Sequence, residues 1–376
     1  MPPVPAPPPS AVEDENKTVK IITSMHILLK IGGAISCISS FLLARHILKK
    51  KKTWADISLT SSMLVGISVI NMIGSFFGYF MGGWMMGESD FVQSSLLSGN
   101  QQTCTAQGFL LTFSFTYFVT AYAGLGALYT LMVRRAWTKN DLKKRKIRLA
   151  FLLPPIIVSL AMAVPPSFFQ MYNPSYLMCN LNQYPFDCEW NPNVPCTRGT
   201  NAILAETISF LYSLFCNLIV IVFMGLLIFS VYSQEKKGDR YLSKGQEKNR
   251  DNTISTAWQG VRYAAALTIP FTPLYVFMWY TLRRANMGNV NLLFWSYLYC
   301  ILTPLLGFNN ACVYFYPRYK ACRKSNRDKT KFRCLCDTLG ISLPCRTSLR
   351  TSKLNSDENL TEPLVDDSDG NTHVII

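Results

Sequence analysis

Seven long apolar segments constrain this chain more than any other feature. They run roughly over Ile21–Ile47, Ala55–Gly82, Cys104–Val133, Ile147–Phe169, Ile203–Tyr232, Trp258–Leu282 and Asn291–Tyr316. Each exceeds the ~20 residues that a helix needs to cross a ~30 Å hydrocarbon core. The pattern predicts an all-α integral membrane bundle of seven transmembrane helices. An odd number of crossings places the two termini on opposite faces. The first, third and fifth connections, with the segment after Tyr316, carry 30 Lys and Arg residues, whereas the opposite side carries 5. Positive residues favour the cytoplasm, so the N-terminus is expected outside and the C-terminus inside.

Totals alone, 376 residues and 49% hydrophobic, would also fit a large soluble protein; the clustering of the apolar residues overrules that reading. A net charge of +15 raises nucleic acid as a partner. These basic residues flank membrane spans, where anionic membrane lipids and orientation explain them more simply, so no nucleic-acid partner is expected. Residues 1–20 read as an extracellular proline-rich leader. Its opening run, Met1 to Pro9, favours extended polyproline II and lacks the apolar region of a cleavable signal, so the first span is expected to direct its own insertion. Asn16-Lys17-Thr18 is a glycosylation sequon on the predicted outer side, whereas Asn359-Leu360-Thr361 falls inside and is expected to stay bare.

The topology sorts the twelve cysteines. Cys37, Cys216, Cys300 and Cys312 lie within spans as small apolar packing residues. Cys104, Cys179, Cys188 and Cys196 fall outside, where an even number points to two disulfides. Four cysteines allow three connectivities; Cys104–Cys179 with Cys188–Cys196 is favoured, the first bond tying the long outer loop over the bundle mouth. Inside, a short juxtamembrane amphipathic helix is expected over 317–324, with Phe315, Tyr319 and Cys322 on one face among basic residues. That setting makes Cys322 a palmitoylation candidate.

Within the spans, Gly74, Gly78 and Gly82 recur every four residues, a spacing that lets helix backbones approach closely in lipid. Pro270 and Pro273 in the sixth span, and Pro304 in the seventh, remove backbone hydrogen bonds and mark expected hinges. Intramembrane charge is costly and scarce here. Lys30 is expected near mid-depth in the first span unless it snorkels, Glu206 near the outer end of the fifth and Arg262 near the inner end of the sixth. Glu206, Phe113, Tyr117, Tyr212, Tyr275, Tyr280 and Tyr299 form the expected ligand pocket between the outer helix halves. Neither a nucleophile–base pair nor a metal-ligand cluster stands out, so no enzyme activity, cofactor or metal is expected.

Several patterns narrow the class. No acidic residue precedes Arg134-Arg135, and the seventh span has no lysine for retinal attachment. The chain resembles the cyclic-AMP-receptor-like and secretin-like (family 2) G-protein-coupled receptors of microbial eukaryotes, in the form common in diatoms. The resemblance covers roughly Ile57 to Lys324. It is carried by the Gly99–Phe109 stretch entering the third helix, Leu128–Arg134 leaving it, Met171-Tyr172-Asn173 through Cys188, and Arg198–Ala202. Its strongest part is Pro304–Tyr314, followed by Pro317-Arg318-Tyr319. Relatives usually carry a glutamine and an aromatic where Leu306 and Asn309 stand here, and an aspartate at Asn71.

The resemblance implies a multi-pass plasma-membrane receptor that passes an extracellular ligand signal of unidentified class to a heterotrimeric G protein. It also implies a helix-seven switch at Asn310 and Tyr314. Arg134, Arg135, Lys143, Lys144 and Arg262 are the expected G-protein-facing residues. A seven-helix transporter or channel is the alternative; it would favour repeated halves and a polar pathway, and neither is evident. The remainder, 325–376, reads as a disordered cytoplasmic tail with acceptors for a kinase and an arrestin-like regulator at Ser348, Ser352, Ser356, Thr361 and Ser368. Its last residues, Val374-Ile375-Ile376, weakly fit a PDZ ligand.

Overall fold

The structure, a computed structural model, describes residues 9–49, 57–87, 97–135, 139–175, 177–185, 188, 193–238, 247–282, 290–325 and 329–339. Its elements are α1 (Pro9–Lys49), α2 (Leu59–Ile73), α3 (Gln101–Arg135), α4 (Lys139–Lys143), α5 (Arg145–Phe168), β1 (Tyr172–Pro174), β2 (Cys179–Leu181), α6 (Ala202–Gly238), α7 (Glu247–Leu282), α8 (Val290–Leu302), α9 (Leu306–Ser325) and α10 (Lys331–Leu339). Among the described residues six helices are long and apolar enough to cross a membrane, and α8 with α9, bent by 50° at their break, make a seventh when the pair is taken as one span. Ile38, Ile157, Leu211, Leu218 and Phe229 stay exposed on the outer surfaces of α1, α5 and α6. Such extensive apolar exposure suits a lipid surround rather than water.

Packing centres on α3, which lies against α2, α5, α6 and α7. Tyr117, Phe118, Ala121, Tyr122, Leu125, Leu128 and Tyr129 are all buried along it. Small residues set the closest crossings. A Cβ on Gly33 of α1 would lie 2.8 Å from the Phe80 backbone nitrogen and 2.9 Å from the Ser75 carbonyl oxygen. There α2 widens into a π-helical turn over Gly74–Phe80, followed by a 3-10 turn over Gly82–Met85. Ser58 caps the start of α2, its hydroxyl accepting from the Ser61 N–H at 3.2 Å.

Four sequence expectations change. The first helix already begins at Pro9, so Asn16 falls inside a helix rather than in an extended leader; residues 1–8 and the Asn16 side chain lie outside the described residues. Lys30 is not buried at mid-depth: its ammonium sits 3.7 Å from the Trp84 ring centroid, at the end of the second span. No separate helix starts at Pro317, because α9 continues through it to Ser325. Finally, α10 folds at 331–339 inside the segment read as disordered, burying Cys334, Cys336 and Thr338. Nine residues are too few for the periodicity to stand out in a basic stretch. The tail acceptors from Ser348 onward, and Val374-Ile375-Ile376, lie outside the described residues.

The chain divides into two units, 1–314 and 315–376. In the second, the Cys322 sulfur lies 2.8 Å from that of Cys334, and a Lys329–Asp337 ion pair spans 3.1 Å. Cys322 is therefore half-buried beside another thiol rather than displayed alone.

Candidate ligand-binding cavity

One end of the bundle is closed by a lid that the sequence builds from the loop after α5. Residues 172–174 and 179–181 pair antiparallel, with Asn173 opposite Asn180. Cys179 bonds to Cys104 at the top of α3, and Cys188 bonds to Cys196, so both favoured disulfides are present. Gln107 of α3 adds a second tie: its side-chain oxygen accepts from the Cys179 N–H at 3.1 Å. Its amide also donates to the Gly82 carbonyl at 3.0 Å. Fully buried Tyr172 donates its hydroxyl to the Ala163 carbonyl at 3.0 Å.

Beneath this hairpin lies a cavity of about 100 Å³, room for several atoms beyond a single water. Met178, Asn180 and Leu181 roof it; Leu111, Ser114, Phe115 and Phe118 of α3 form one wall; Glu206, Ser209 and Phe271 form another. Tyr299 lines it too, donating toward the Met178 sulfur at 3.6 Å. A mostly apolar hollow with a few placed polar groups is the usual form of a small-molecule site.

The floor is a polar knot joining three spans. Asn71 is 2% exposed and its amide donates to Ser36 and Ser40 hydroxyls at 3.0 and 2.8 Å. Ser75 donates to Ser36 at 3.1 Å, and the Gly307 N–H donates to the same hydroxyl at 2.9 Å. Thr303, in the break of the seventh span, donates to the Pro270 carbonyl of α7 at 3.0 Å. Thr303 and Leu306 both line the cavity, so the bend beside Pro304 is part of its wall. Further along, the Tyr122 hydroxyl donates to Asn310, and His46 packs edge-on against Tyr314.

Of the seven residues expected to line the pocket, Glu206 and Tyr299 do so. Phe113 and Tyr117 instead stack along α3 with ring centroids 6.3 Å apart. The Tyr212 hydroxyl pairs with Thr120 at 2.8 Å, and that of Tyr275 pairs with Ser213 at 2.7 Å, bracing α6 to α3 and to α7. None of these four lines the cavity, and Tyr212 and Tyr275 hold helices together. Tyr280's side chain lies outside the described residues. Sequence reasoning missed Ser114, Phe115, Phe118 and Phe271, whose inward face no single-residue property reveals.

Pro270 and Pro273 sit within one uninterrupted helix, α7. The break falls at Pro304 alone. Among the expected G-protein-facing residues, Arg134, Lys143 and Lys144 are exposed, and Arg262 is half-buried. Lys144 also pairs with Asp141 at 2.7 Å. Arg135's side chain lies outside the described residues. Groups of three or more His, Cys, Asp or Glu residues able to hold a metal are absent among the described residues.

The architecture is thus that of a seven-helix membrane bundle with a disulfide-tied hairpin over a central cavity. Among solved structures it is similar to squid rhodopsin, at a TM-score of 0.57 and 15% identity, over 87% of this chain and 93% of that one. This likeness establishes the fold. No protein-family model matches the sequence, and no curated protein matches it.

Proposed function

We propose that this chain is a G-protein-coupled receptor of the plasma membrane, binding a small extracellular ligand in the cavity under the hairpin. The observation that carries the reading is the shared wall: Thr303, in the break between α8 and α9, and Leu306, the first residue of α9, both line the cavity. A ligand that prefers one arrangement of this break shifts the equilibrium between two bundle states, and the shift is felt at Asn310 and Tyr314 further along α9. The paired cysteines favour an oxidising, extracellular side for the hairpin end, which agrees with the distribution of basic residues. The exposed Arg134 and Lys143 then face the cytoplasm, and the segment after Ser325 supplies acceptors for kinase and arrestin-like regulators. Asn16 becomes a glycosylation site, checked by a glycosidase-sensitive mass shift that Asn16→Gln removes.

The test is a G-protein dissociation assay in cells expressing the full chain, screened against amines, amino acids, nucleotides and lipids. A hit that dissociates a heterotrimer supports the reading; solute-driven current or uptake with no dissociation replaces it with a transporter or channel. Neutralising Arg134 and Arg135 together should reduce coupling at least severalfold at unchanged surface expression, read in the same assay. Coupling equal to wild type would restrict those residues to fixing topology.

Thr303→Val removes the hydrogen bond to Pro270 while keeping the side-chain volume. A net hydrogen bond of about 1 kcal/mol corresponds to about a fivefold change in a two-state ratio. Basal G-protein dissociation should therefore move by about that factor. No change in basal signal would separate the helix break from activation.

A further inference from the structure

We infer that the cavity selects a small monocation, a protonated amine on a compact apolar body, held between Glu206 and Ser114. This deepens the proposed ligand site and rests on it.

Two hydrogen bonds fix the relative height of α3 and α6. Thr120 pairs with Tyr212 at a sequence separation of 92, and Thr130 donates to the Phe223 carbonyl at a separation of 93. The two helices run in the same direction in step, so an offset of 92 also puts Ser114 level with Glu206. Both line the cavity, from different walls.

Ser114 is 2% exposed, and its hydroxyl has no hydrogen-bond partner. A buried hydroxyl normally finds one, so a ligand atom that bonds it gains an interaction the empty site lacks. Glu206 is the single carboxylate in the lining, and no Lys, Arg or His lines the cavity among the described residues. An anionic ligand would meet repulsion from Glu206. A cation gains a charge-assisted hydrogen bond in surroundings less polar than water. Leu111, Phe115, Phe271 and Met278 also line the cavity and suit an aryl or alkyl body.

Binding to the purified full-length protein in lipid nanodiscs tests this without any G protein. The probes are 2-phenylethylamine, 2-phenylethanol and phenylacetate, which share one ring and differ in the polar group. Hydrogen bonds to charged groups contribute enough for about tenfold tighter binding of the amine than the alcohol, with the carboxylate weakest. Glu206→Gln should collapse the amine–alcohol gap to about twofold, whereas Glu206→Asp should retain it. Ser114→Ala should weaken all three severalfold. An unchanged thermal unfolding midpoint without probe confirms that the variants fold. Carboxylate binding as tight as the amine, an amine preference that survives Glu206→Gln, or no binding of the amine at millimolar concentration would each overturn the inference. Amine binding without G-protein dissociation would overturn the receptor reading instead and leave the cation site standing.

Discussion

Replacing Cys104 by serine is expected to abolish ligand binding and to destabilise the hairpin end by about 2–4 kcal/mol. The bond to Cys179 closes a separation of 75 residues, against 8 for Cys188–Cys196. Loop-closure entropy alone gives about 4.5 kcal/mol for the first and about 2.5 kcal/mol for the second. Helices that stay in the membrane when the hairpin loosens reduce the larger figure. Function separates the two bonds further. Cys179 is continuous with the cavity roof, since Met178, Asn180 and Leu181 line the hollow. Cys188–Cys196 closes a small loop whose described residues do not line it. Cys104→Ser should therefore remove binding, and Cys188→Ser should leave it within a fewfold of wild type. Thermal unfolding of the purified proteins, with ligand occupancy measured alongside, checks both. Equal losses for the two variants would show that the hairpin position does not depend on the α3 bond. Gln107 gives an internal control, because Gln107→Leu removes the second tie to Cys179 while leaving the disulfide in place.

The spans were legible in the sequence because lipid sets their length. The third was expected over 104–133 and is helical over Gln101–Arg135; the fifth was expected over 203–232 and runs over Ala202–Gly238. Extra turns at the ends carry polar residues that a hydropathy criterion leaves out. Disulfide partners were legible because compartment left four candidates. The cavity was much less so. A span that is apolar all round does not announce which side turns inward. On α3, Leu111, Ser114, Phe115 and Phe118 follow i, i+3, i+4, i+7 spacing and form the inner stripe. Phe109, Phe113 and Tyr117 form a parallel aromatic stripe on the same helix. Both satisfy helical periodicity, and only neighbouring helices decide between them: Tyr117 turns its hydroxyl toward Gly66 of α2. Proline likewise marks where a helix lacks a hydrogen bond, not whether it breaks. Pro270 and Pro273 stay within α7, while Thr303-Pro304-Leu305 interrupts the seventh span.

Gly307→Ala is expected to cost about 3 kcal/mol and to disconnect the cavity floor from α9. At this position a Cβ would run into the Asn71 amide and the Ser36 and Ser40 hydroxyls at once. None of the three can yield cheaply, because each is buried and bonded to another member of the knot. Moving Asn71 frees two serine hydroxyls. Moving α9 outward stretches the 2.9 Å bond from the Gly307 N–H to Ser36. Either way, buried polar groups lose partners in surroundings with no water to replace them, and that loss adds to the steric term. Glycine here is required by close approach rather than by backbone conformation, since it lies within a helix. Gly225 of α6 gives the contrast: a Cβ there meets nothing within 4 Å. Gly225→Ala should therefore stabilise slightly, by about 0.5–1 kcal/mol, through helix propensity alone. Thermal unfolding of the two variants in one detergent gives opposite signs if the knot is as tight as its distances indicate. A Gly307→Ala shift no larger than that of Gly225→Ala would mean that α9 can move away from α1 and α2 without penalty. The polar knot would then be a loose contact, and the route from cavity to switch would have to run through Thr303 and α7 alone.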